Sequence, residues 1–214
     1  MAAPLRDPPA LHDRALQDLS FIRRTMEGAS SFTDVPGWGL VAVGVTAIGA
    51  ATFASMQPTA LRWIGIWLAE AVIGVVIGGG TMWRKIRRNA SRVDGGPLLS
   101  VPARKFLLGF WPAILAGAVL TFALIDPRGI LVASSDIPRA LPGLWLLLFG
   151  VGVLTAGAFS VRAVPLMGLA FMLLGSIALL VPGVPGVSGD LLLALGFGVL
   201  QIVFGIWIAR RHGG

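Results

Sequence analysis

Residues 61–88 read LRWIGIWLAEAVIGVVIGGGTM followed by WRKIRR. The first part carries one cation near its start, Arg62, and one acid in its middle, Glu70; the rest is apolar or small. About 20 such residues are what a helix needs to cross the hydrocarbon core of a bilayer. The basic run that follows stands where the helix returns to water. The stretch therefore reads as a membrane span with an orientation signal at its end.

Five more runs of this kind flank it. The six spans fall at about 37–56, 61–82, 106–125, 141–160, 164–182 and 190–209. Composition agrees: 56% of residues are hydrophobic and 13% charged, against about 25% charged in soluble domains. Mean hydropathy is +0.84. No soluble core hides that much apolar surface, so lipid is the solvent for much of the chain. Gln57-Pro58-Thr59, Asp126-Pro127-Arg128-Gly129 and Pro182-Gly183-Val184-Pro185-Gly186 end the first, third and fifth runs, because proline cannot continue a helix there and its flanks are polar or glycine. The fourth and fifth runs are parted only by the segment around Arg162. Together they are too long for one span and read as an antiparallel pair with a minimal turn. The expected fold is all-α: a polytopic six-helix bundle over 37–209, preceded by a cytoplasmic segment 1–36 and followed by a short tail 210–214.

Orientation follows from the Lys and Arg distribution. Arg6, Arg14, Arg23 and Arg24 precede the first span. Arg84, Lys85, Arg87, Arg88, Arg92, Arg104 and Lys105 lie after the second, with Arg162, Arg210 and Arg211 on the same side if there are six spans. Only Arg62, Arg128 and Arg139 fall opposite. Both termini are thus expected in the cytoplasm. The first apolar run starts near Gly37, too late for a cleavable signal peptide. Trp38, Trp83 and Trp207 near the cytoplasmic ends, and Trp63 and Trp145 near the outer ends, read as an interfacial belt. Trp67 and Trp111 sit deeper and read as packed between helices.

Before the first span, residues 10–28 read as an amphipathic helix. Leu11, Ala15, Leu19, Ile22 and Met26 share one face, and Asp13, Gln17, Arg24 and Glu27 the opposite one. Such a helix lies on the membrane surface or docks a protein partner. The net charge of +7 belongs beside the spans, where it sets orientation and meets anionic lipid. The basic loop 84–105 lacks the interleaved aromatics of a nucleic-acid surface, so the lipid bilayer is the expected partner and nucleic acid is not.

Chemistry is sparse. The chain has no cysteine, which excludes disulfides, thiol catalysis and thiolate metal sites. Its two histidines, His12 and His212, lie near the ends, so imidazole chemistry inside the bundle is excluded too. Gly78-Gly79-Gly80-Thr81 lacks the GK[ST] ending of a phosphate loop, and no motif implies a cofactor. Asp126, Asp136 and Asp190 lie on the outer side; three carboxylates can hold a divalent cation, but turn formers and helix caps are the commoner roles. Asp190 reads as a cap, and no metal site is assigned.

Glu70 is the exception. A charge near the bilayer centre costs at least ~2.5–3.5 kcal/mol, which makes an intramembrane carboxylate a functional candidate. It shares a stripe with Gly74 and Gly78, near Trp63, Trp67 and Thr81, while Leu68, Val72, Val75 and Val76 face away. Glycines let another backbone approach, so the stripe is expected to face the bundle. Thr46, in the ladder Ala42, Thr46, Ala50, Ala54, and Gln201, with Ala194, Gly198 and Gly205, lie at similar depth. Glu70, Thr46 and Gln201 are therefore expected to meet, as a proton, cation or ligand-headgroup site or as a hydrogen-bonded fastener between helices. Three function classes follow: a non-enzymatic membrane component (sensor, regulator or accessory subunit), a small transporter or channel using Glu70, and an intramembrane enzyme on a lipid substrate. Spans without histidines or paired carboxylates disfavour the last.

Several stretches carry a resemblance. Phe21-Ile22-Arg23-Arg24-Thr25-Met26-Glu27, Phe32-Thr33, Val35-Pro36-Gly37-Trp38-Gly39, Trp67-Leu68-Ala69-Glu70, Leu141-Pro142-Gly143-Leu144-Trp145, Phe159-Ser160-Val161-Arg162 and Ile208-Ala209-Arg210-Arg211-His212-Gly213-Gly214 together resemble a group of uncharacterised bacterial six-helix membrane proteins. The resemblance implies a bacterial inner-membrane location and no particular activity.

Overall fold

In the computed structural model the described residues are 18–19, 22, 35–90, 101–125, 137–158, 160–181 and 187–212. They form six helices long and apolar enough to cross a membrane. The protein is an all-α, multi-pass integral membrane protein. Of the amphipathic segment 10–28, only Asp18, Leu19 and Ile22 are described; all three are helical and exposed.

α1 spans Gly37–Ser55 and is entered from Pro36, whose backbone is extended at φ −82° and ψ 103°. A proline there costs nothing, because the first N–H groups of a helix have no partner in any case. Pro58 closes off the far end. α2 is Ala60–Ala90, 31 residues. At 1.5 Å per residue it is about 46 Å long, so its basic end runs well beyond the apolar stretch that stops at residue 82. α3 is Val101–Leu124 and carries Pro112 in its interior. α4 is Ile137–Gly157 and α5 is Ala163–Leu180. α6 begins with the turn Gly189–Leu193, loosens into a π segment over Ala194–Leu200 and resumes as Gln201–His212.

Two antiparallel pairs are fastened by glycine. In lipid there is no hydrophobic drive between helices, so close backbone packing supplies much of the attraction. On α4, Gly143 and Gly150 face Gly175 and Gly168 of α5. A Cβ on Gly150 would stand 2.6 Å from Met172 N and 2.8 Å from Gly168 O, and one on Gly175 2.8 Å from Gly143 O. α1 and α6 repeat the device. A Cβ on Gly44 would lie 2.7 Å from Gly198 O, and one on Gly205 2.8 Å from Gly37 O. The glycines recur every seven residues on each helix, the spacing that keeps one seam facing a partner along a left-handed crossing. Phe149 of α4, Phe171 of α5 and Phe197 of α6 join the two pairs, with ring centroids 4.8–5.4 Å apart. α2 packs against α1, and α3 against α4, where Gly109 meets the backbone of Ala156.

These contacts gather the basic residues at one end. Gly37 meets Ala209 and Gly39 meets Thr81. Lys85 Nζ donates to Val35 O at 3.4 Å. Arg211 lies 5.9 Å from the centre of the Trp207 ring, a cation–π distance. Trp38 and Trp83 are exposed, as membrane-border residues should be, but two other tryptophans depart from expectation. Trp63 is buried, because it stacks on Trp145 at 5.9 Å with the rings 4° from parallel. Trp111 is 64% exposed, because α3 lies at the bundle edge and turns that face outward.

Candidate functional site

α2 places Trp63, Trp67 and Glu70 on its buried side and leaves Leu68, Val72, Val75 and Val76 exposed. The glycines of that side behave otherwise than expected. Among the described residues a Cβ on Gly74 would touch only a Val43 side-chain carbon at 3.4 Å, and one on Gly78 would meet nothing. No backbone of the described residues approaches α2 there, and polar side chains fasten the helix instead.

Midway along, Thr46 Oγ1 of α1 lies 2.8 Å from Glu70 Oε1 and 2.9 Å from Val43 O. Glu70 is 7% exposed. A hydroxyl has one proton to donate, so Thr46 serves Glu70 or Val43, not both. Both contacts are hydrogen bonds at once when the carboxyl keeps its proton, donates to Oγ1, and lets Thr46 donate to Val43. When the carboxyl is ionised, Thr46 turns to it and the Val43 carbonyl loses its extra donor. The unit can therefore hold one proton, and the threonine rotor reports where that proton is.

Gln201 is 3% exposed, and its Oε1 has no hydrogen-bond partner among the described residues. The contact of Gly44 with Gly198 and Ile202 sets the register of α1 against α6 and puts Gln201 within about one helical turn of the height of Thr46. The structure thus bonds two of the three expected residues to each other and leaves the third at similar depth without a bond to either.

A second polar group, at the opposite end from the basic residues, was not foreseen. Asp190 Oδ1 accepts from Trp63 Nε1 at 2.7 Å and Trp67 Nε1 at 3.2 Å. Trp145 Nε1 donates to Thr121 Oγ1 at 2.8 Å, which in turn donates to Gly117 O at 2.7 Å. With the Trp63–Trp145 stack, this ties α2, α3, α4 and α6 together. Asp190 is consequently not the cap expected of it: Ser188 is the N-cap, its side chain accepting from Leu191 N at 3.2 Å. Asp190 sits in the first turn, where the helix dipole favours an anion. The legible hint was the four-residue spacing of Trp63 and Trp67, which puts both indoles on one face.

Asp126 and Asp136, weighed with Asp190 as cation ligands, lie outside the described residues. Among the described residues no three of His, Cys, Asp and Glu cluster as metal ligands would. The chain matches no protein-family model, no curated protein and no solved structure.

Proposed function

We propose that this protein is a non-enzymatic membrane component, a sensor, regulator or accessory subunit, that works through protein contacts made by residues 10–28. The observation that carries the reading is the exposure of Leu19 and Ile22, at 62% and 52%. Both belong to the apolar face of the predicted amphipathic helix, and the bundle does not cover them. An uncovered apolar face beside a membrane takes lipid or a partner. The reading places both termini in the cytoplasm, by the excess of Lys and Arg at one end. It places the protein in a bacterial inner membrane, as the six-helix resemblance implies.

The test is photo-crosslinking from position 19 in native membranes, with and without Ile22→Asp. A discrete protein adduct that disappears in the variant supports the reading; adducts to lipid alone count against it. Sidedness is checked with single cysteines introduced near Arg6 and after Arg211. The chain has none of its own, so labelling carries no background, and a termini-outside result would reverse the orientation.

A second reading rests on Gln201 Oε1, which has no partner among the described residues, and on the protonatable Thr46–Glu70 unit, all near mid-span. It is a small transporter or channel that uses Glu70. Glu70→Gln keeps the size and one hydrogen bond but cannot release a proton; substrate uptake that is unchanged in that variant removes this version.

A further inference from the structure

The outward face of α3 carries a feature that the bundle does not use. Arg104, Leu107, Leu108, Phe110 and Trp111 line a shallow, open groove of about 420 Å³. Arg104, Leu107, Leu108 and Trp111 recur at the three- and four-residue spacing that puts them on one helix face. Leu107, Leu108 and Trp111 are exposed. Arg104, also exposed, has no hydrogen bond or ion pair among the described residues. Trp111 is two turns from it, about 10.5 Å along the axis.

The groove thus has an exposed cation at one end and an apolar lining throughout, to which Arg104 contributes its hydrocarbon stem. Its charged end lies in the first turn of α3, at the basic end of the bundle, where α2 also brings the exposed Arg84 and Arg87. Its apolar body runs toward the middle of the span. A free anion matches the first half of that description only, and a neutral lipid the second half only. We infer that this groove is a seat for an anionic phospholipid, its phosphate on the Arg104 guanidinium and an acyl chain along Leu107, Leu108 and Trp111. A guanidinium presents paired donors that fit phosphate oxygens, and an arginine at a span end carries its charge to the headgroup level while its stem stays in hydrocarbon.

Trp111 provides the readout. The whole protein is reconstituted in vesicles containing acyl-brominated phosphatidylglycerol or acyl-brominated phosphatidylcholine. The quenching due to Trp111 is taken as the difference from Trp111→Phe. Half-maximal quenching is expected at an about fivefold lower mole fraction of the anionic lipid, the factor that corresponds to about 1 kcal/mol for one cation near an anionic surface. Arg104→Gln should bring the two curves together while leaving quenching by the neutral lipid in place, which also shows that the variant is folded. Arg104→Lys should keep part of the preference. Equal quenching by both lipids in the unmodified protein overturns the proposal, as does no Trp111 quenching by either. A preference that survives Arg104→Gln also overturns it, since the attraction would then belong to the basic surface at large.

Discussion

α5 and α2 are both apolar helices that carry glycines, yet they are held by opposite means. α5 is seated by backbone contact: Gly168 and Gly175 meet Gly150 and Gly143 so closely that a single methyl group on any of the four would meet another heavy atom at 2.9 Å or less. α2 has Gly78, Gly79 and Gly80 in a row, and a Cβ on any of them would meet none of the described residues. Side chains hold it: Trp63 and Trp67 on Asp190, Glu70 on Thr46, and Lys85 on the Val35 carbonyl. A glycine in a span is therefore no guide to packing until the opposite helix is known. A helix fastened by a few polar bonds can also be released by losing a few protons or donors, whereas a glycine seam cannot.

The sharpest way to break this contrast is to crowd the seam. Gly150→Ala is expected to cost about 1–3 kcal/mol through overpacking, and Gly150→Val more, read as a lower unfolding midpoint in detergent. If both are silent, the seam is not what holds α5. Of similar size is Asp190→Ala, which strands two indole N–H groups; losing hydrogen bonds to a carboxylate costs about 1.5–3 kcal/mol. Asp190→Asn keeps an acceptor and should recover much of that, with the tryptophan emission following the same order. A smaller effect is expected at mid-span. A double-mutant cycle of Glu70→Ala and Thr46→Ala should give a coupling of about 0.6 kcal/mol, within the range measured for hydrogen bonds between membrane helices. Zero coupling would mean that Thr46 does not fasten Glu70. A change of about the same size should have the opposite sign: Gly79→Ala, with no described residue near its Cβ, should stabilise α2 by about 0.5–1 kcal/mol through helix propensity. A loss of stability there would show that a partner touches α2 at that point.

The candidate site was partly legible. Glu70 stands out because an acid inside an apolar run is costly, and its face follows from helical periodicity. Thr46 could be picked because it sits at matching depth on a small-residue face. Gln201 qualified by the same criterion, but depth alone does not tell which helix a side chain addresses. The Asp190 cluster was hidden for a related reason. Trp63 lies near the end of its span, where an indole ordinarily marks the membrane border, and Asp190 lies where caps occur. Nothing along the chain says that residues 127 positions apart share a hydrogen bond. Trp111 misled in the other direction: its depth pointed to packing, and only the edge position of α3 exposes it.

Hydropathy by itself determined that this chain lives in a bilayer and that six helices cross it, though α2 continues to Ala90 and α3 already begins at Val101, beyond their apolar runs. Transfer free energies add residue by residue along a helix and need no knowledge of neighbours. Tertiary structure decided which helices touch, which glycines are used, that Ser188 rather than Asp190 caps α6, and that Asp190 serves two tryptophans. Between helices in lipid the attraction comes from shape fit and individual hydrogen bonds, and both require two surfaces to be specified at once.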